Sequence, residues 1–129
     1  TIVKAFSRNK KIQNTNTIPV NFGTDVDRLF SIIETTLRPM LKDNNDFELI
    51  IKPQKEIRLK VGELERGAYI FTADAGDEVV RVNYPYCGGF EYHYDMDTRQ
   101  WISTIDKHDM RGMITRELLK HSIGCPLFP

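Results

Sequence analysis

The sequence predicts an α+β fold, a two-layer sandwich of one antiparallel sheet with two helices on one of its faces. Three observations predict it. A segment with helical apolar spacing opens the ordered part of the chain, six short alternating segments joined by turn residues follow in an unbroken run, and a second helical segment closes it. Short hairpin connections make a sheet mostly antiparallel, and two amphipathic helices find their apolar cover on one face of it. The 129 residues suit one domain with one core.

The elements follow in order. Thr1–Gly23 is expected to be an extended arm. Its apolar residues, among them Ile2, Phe6 and Ile12, lack a helical period, and Lys4, Arg8, Lys10 and Lys11 make it basic. A helix is expected from Thr24, a suitable N-cap, with Asp25 and Asp27 favoured near its N-terminus by the helix dipole. Val26, Leu29, Phe30, Ile33 and Leu37 form its buried stripe, and Pro39 ends or kinks it near Arg38.

Strands are expected at Phe47–Lys52, Glu56–Val61, Ala68–Ala73, Glu78–Tyr84, Phe90–Asp95 and Gln100–Ile105. In the second, Ile57, Leu59 and Val61 alternate with Glu56, Arg58 and Lys60, which marks one buried and one wet face. In the fourth, Val80, Val82 and Tyr84 suit the core, and Val79, Arg81 and Asn83 fall on the open face. Asp74-Ala75-Gly76-Asp77 supplies the turn before it, with Gly76 able to take a positive φ. The last helix is expected from about Asp109 to Ser122, with Met110, Met113, Ile114, Glu117, Leu118 and His121 on one face and Gly124 ending it. The division is therefore an arm over 1–23, a domain over 24–123 and a tail over 124–129.

Composition narrows the function. The formal net charge is zero, which argues against general nucleic-acid binding, although Tyr84, Tyr86, Phe90, Tyr92 and Tyr94 could stack on bases. No apolar run reaches the length of a membrane span. Cys87 and Cys125 make neither a disulfide framework nor a zinc knuckle. No nucleophile–base pair or paired carboxylates declare an active site, so the chain is expected not to be an enzyme. Cys87 with His93 or His108 is conceivable as a catalytic pair, and His93, Asp95 and Asp97 give half a metal site at most. The basic leader opening at Thr1 is compatible with the mature edge of an organelle protein.

The segment Gly67–Pro85 resembles frataxin, the small mitochondrial and bacterial protein of iron–sulfur cluster assembly. It matches the family pattern G-T-Y-V-I-N-K-Q-T-P-N-K-Q-I-W-L-S-S-P over its whole length without a gap. Gly67, Tyr69 and Pro85 are identical, and Ile70, Phe71, Val80 and Val82 are apolar matches. Tyr92–Trp101 and the Met113–Leu118 segment of the last helix extend the likeness, which covers about residues 24–123.

The resemblance implies a frataxin-like sandwich, and the departures bear on function. The family's outward Gln and Trp, used to dock on the cluster-assembly scaffold and desulfurase, fall on Val79 and Arg81. The family's acidic ridge, linked to weak iron binding, is interrupted here by Arg28, Arg38, Lys42, Lys52 and Lys55, leaving Asp25, Asp27 and Glu34 as weak metal candidates. The expectation is a non-catalytic interaction protein without a cofactor. It would be an accessory subunit of a mitochondrial inner-membrane respiratory assembly, complex I, on the matrix side. Its partners would be the protein subunits of that complex, held through the open sheet face at Asp77, Val79, Arg81, Asn83 and Trp101 together with the arm Thr1–Phe22, with Arg81 paired to an acidic group and Val79 covered. The alternative is a genuine frataxin, an iron-binding regulator of iron–sulfur cluster assembly, with iron weakly bound.

Overall fold

A computed structural model describes residues 21–62 and 67–129. The arm expected over 1–23 lies outside the described residues as far as residue 20. Helix α1 spans Phe22–Leu37 and runs into a 3-10 turn over Arg38–Lys42, with Pro39 at the junction. Strands β1 (Phe47–Lys52), β2 (Glu56–Val61), β3 (Ala68–Asp74), β4 (Val79–Tyr84), β5 (Gly88–Asp95) and β6 (Gln100–Ser103) follow, and helix α2 spans Met110–His121.

The first helix starts earlier than Thr24. Asn21 is the N-cap, its side chain accepting from the Thr24 amide at 3.2 Å. Phe22 gains a seat in the extra turn, edge-on to Trp101 with ring centroids 6.1 Å apart. A good cap and an apolar contact coincide at this start. Asp109 caps α2 as expected, accepting from the Gly112 amide at 2.9 Å.

The six strands form a meander in the order β1-β2-β3-β4-β5-β6, and every neighbouring pair is antiparallel. The β3–β4 turn uses Asp74 rather than a strained glycine. Its carboxylate accepts from the Gly76 and Asp77 amides at 2.9 and 3.1 Å. The positive φ falls on Glu78 (55°), not on Gly76. Lys55 and Arg99 occupy the same place, the last loop residue before β2 and β6, with φ of 62° and 59°. The right-handed twist of a hairpin asks for a left-handed residue there.

Both helices lie on one sheet face. Val26, Leu29, Ile33 and Leu37 of α1 and Met110, Ile114 and Leu118 of α2 share one core with Leu59, Phe71, Val82 and Tyr92 from the sheet. The tail folds back onto this layer. Asn44 donates to the Met40 and Ile123 carbonyls at 2.8 and 2.9 Å and accepts from the Ile123 amide at 2.9 Å. Phe128 packs against the core, and Arg111 lies over its ring. Among the described residues the opposite face of the sheet carries no helix.

Candidate functional site: the open sheet face

Register places the open-face residues in rows. Ile50, Arg58, Ile70, Asn83 and Gly89 stand side by side across β1 to β5, and Lys52, Glu56, Thr72, Arg81 and Glu91 form the next row. Antiparallel alternation alone puts these side chains together.

Arg81 is the centre of this face. Its guanidinium donates to Asp74 at 2.5 Å, to Glu91 at 2.8 Å and to Asp77 at 3.0 Å. These bonds hold the Asp74 carboxyl below the usual carboxylate range and push the Arg81 guanidinium further up. The acidic group expected to pair with Arg81 is thereby identified. Residues 7 positions before and 10 after it supply that acid from within the chain, a pairing that hairpin register creates and linear spacing hides. In the same row, Glu56 takes Arg58 at 2.6 Å and Lys52 at 3.3 Å, and Arg58 foremost holds it below the usual range.

The other expected contact residues divide. Asp77 and Asn83 are exposed. Val79 stands opposite Asp74 at the start of β4 and is only 8% exposed, so the chain itself covers the residue that a partner was expected to cover. Trp101 does not belong to this face at all. It stands opposite Tyr94 on the helix side, 7% exposed, against Tyr94 and Phe22. Within Gln100–Ser103 the alternation sends Trp101 and Ser103 inward, leaving Ile102 on the open side.

A hollow of about 470 Å³ opens beside the Arg81–Glu91 pair. Ile70, Thr72, Asn83, Gly89 and Ile105 line it. Gly89 leaves its floor empty: a side chain there would meet nothing nearer than the Val82 carbonyl, at 4.0 Å. Ile105, expected at the end of the last strand, instead lies past β6 in the following turn and is 77% exposed on the rim.

On the helix side each weak metal candidate faces a cation. Asp25 pairs with Arg28 at 3.0 Å, Asp27 with Lys55, and Glu34 with Arg38 at 2.6 Å. Among the described residues no group of three or more His, Cys, Asp and Glu side chains is placed to hold a metal ion. Asp95, a member of the half-site weighed from sequence, accepts from the Asp97 amide and the Thr98 hydroxyl within the β5–β6 turn.

Sequence reasoning missed a polar chain that runs from the core to the surface. The Tyr84 and Tyr92 hydroxyls lie 2.8 Å apart, Tyr92 meets His108 Nε2 at 2.6 Å, and His108 Nδ1 meets Asp106 at 2.5 Å. His108 is thus committed to Tyr92 and Asp106 rather than to Cys87. Desolvation and the nearby Glu117 carboxylate push the Cys87 thiol up, away from a reactive thiolate. The one available signal was the inward phase of Tyr84 and Tyr92.

No protein-family model matches the chain, and no curated protein matches it by sequence. Solved structures do resemble it. A frataxin from Psychromonas ingrahamii superposes with a TM-score of 0.65 at 16% identity, covering 85% of this chain and 99% of that one. Trimeric frataxin of the yeast Saccharomyces cerevisiae with its full-length N-terminus gives 0.64 at 14% identity, over 75% of this chain and 78% of its own. The yeast trimer complexed with ferrous iron gives 0.64 at 12% identity, over 92% and 95%. The fold of this chain is therefore frataxin-like, as the Gly67–Pro85 resemblance implied.

Proposed function

We propose that this chain is a non-catalytic interaction protein, an accessory subunit of a mitochondrial inner-membrane respiratory assembly, complex I, held on the matrix side through its open sheet face. One observation carries the reading: the open face joins an unfilled apolar hollow to a polar centre, Arg81, whose charge is already met by Asp74, Asp77 and Glu91. Exposed apolar surface rimmed by polar groups is the usual mark of a protein interface. The carboxylates on the helix side are paired with Arg28, Lys55 and Arg38 and so are poor ligands for a hard cation. Among the described residues no helix is long and apolar enough to cross a membrane; in this proposal the attachment is to protein subunits.

A second reading, an iron-binding regulator of iron–sulfur cluster assembly, is favoured by one observation: a structure of similar fold is a complex with ferrous iron. The experiment that separates the two titrates Fe²⁺ while following amide shifts along α1, then adds the chain to a cluster scaffold–desulfurase complex. Unmoved α1 amides and unchanged cysteine turnover are the expected result. Faster turnover would select the second reading.

A further inference from the structure

We infer that the hollow over Gly89 is a receptor for a single aromatic side chain presented by a partner protein with a Lys or Arg beside it; this rests on the proposed interaction role and specifies the partner's chemistry. Three features of the face carry it.

The first is shape. The hollow exists because β5 has glycine at the position facing Asn83 across the β4–β5 pair. Ile70 and the exposed Ile105 stand as walls, giving an apolar slot of about 470 Å³, which is more than one indole or phenol ring requires.

The second is charge. One guanidinium, Arg81, stands among three carboxylates, Asp74, Asp77 and Glu91. The cluster therefore carries a formal charge of −2 along one side of the slot. A cation next to the inserted ring meets that surplus, whereas an acidic neighbour is repelled.

The third is backbone. Gly89 does not need to be glycine for its conformation. It is absent from the positive-φ residues of the chain, and a Cβ built on it meets nothing nearer than 4.0 Å. A side chain there enters the hollow without disturbing the strand, so Gly89→Leu closes the slot in a folded protein.

The test uses the full chain and two small probes, tryptamine and indole-3-acetate, which carry the same ring with opposite charges. Tryptamine should shift the backbone amides of Ile70, Asn83, Gly89 and Ile105. Indole-3-acetate should bind more weakly. Gly89→Leu should weaken tryptamine by at least about tenfold with its melting temperature unchanged. Equal binding of the two probes, shifts elsewhere, or an unaffected Gly89→Leu would overturn the inference. So would nuclear Overhauser contacts from Phe6 to Ile105 in the free chain, which would make the occupant the chain's own arm, or a dimer joined through Ile70 and Ile105. Native gels of organelle extract separate this inference from the reading beneath it. A wild-type chain in a large assembly together with a Gly89→Leu chain that has left it supports both. Retention of both chains defeats the slot alone, and a wild-type chain running free defeats the interaction role even where tryptamine binds.

Discussion

Arg81 Nε donates to Glu91 at 2.8 Å straight across the β4–β5 pair, the two residues standing opposite each other in register. With Asp74 and Asp77 on its other nitrogens, the guanidinium ties the β3–β4 turn to β5.

The first prediction concerns acid. Arg81 holds the Asp74 carboxyl below its ordinary value of 3.8. A carboxyl depressed in the folded state contributes stability above its ordinary value, and that contribution is lost as pH falls through the lower, folded value. Melting temperature followed by circular dichroism should hold until pH approaches 3.8 and then drop. Arg81→Met should flatten this acid limb, and an unchanged limb in that variant would contradict the role given to the cluster.

Trp101 is a core residue, and the second prediction follows from that position. Replacing it with alanine removes a ring packed against Tyr94 and Phe22, at a cost of about 3–5 kcal/mol. Denaturant titration measures it. Emission from the wild-type tryptophan should be that of a buried indole, poorly quenched by acrylamide. A solvent-exposed emission maximum would contradict the placement.

A third prediction tests the latch between the 3-10 turn and the tail. Asn44 is 5% exposed and joins Met40 to Ile123 through three hydrogen bonds. Asn44→Ala leaves those backbone groups without partners, and should lower unfolding stability by about 2 kcal/mol. A change within error would mean that water replaces the side chain.

The fourth prediction lies at the alkaline end. Burial pushes the phenols of Tyr69, Tyr84 and Tyr92 above their ordinary value of 10.0. A group whose folded value is raised contributes stability below its ordinary value and loses it as pH rises toward the folded one. Three of the five tyrosines should therefore form phenolate only as the protein unfolds, above pH 10.0. Ultraviolet phenolate absorbance followed beside circular dichroism checks this. Ionisation of all the tyrosines in a folded chain would contradict the buried hydroxyl chain.

Most of the fold was legible because alternation and helical spacing are local properties. β1 and β2 fall where the alternating runs place them, and Asp109 caps α2. The start of α1 differs from the expected Thr24 because Thr24 and Asn21 are both good caps, and only the seat of Phe22 against Trp101 decides between them. The site was less legible. Side-chain phase places Arg81 and Asn83 on the open face, whereas the side taken by Trp101 is fixed only by its pairing opposite Tyr94. The hollow over Gly89 and the three carboxylates around Arg81 arise from pairing between strands, and no linear pattern displays that.

The central claim is that this chain works while held in a larger protein assembly by its open face. Blue-native electrophoresis of mildly solubilised organelle membranes, probed for the chain, measures this most directly. The account predicts that the chain migrates with a high-mass respiratory complex. A band confined to the free 15.0 kDa chain would contradict it.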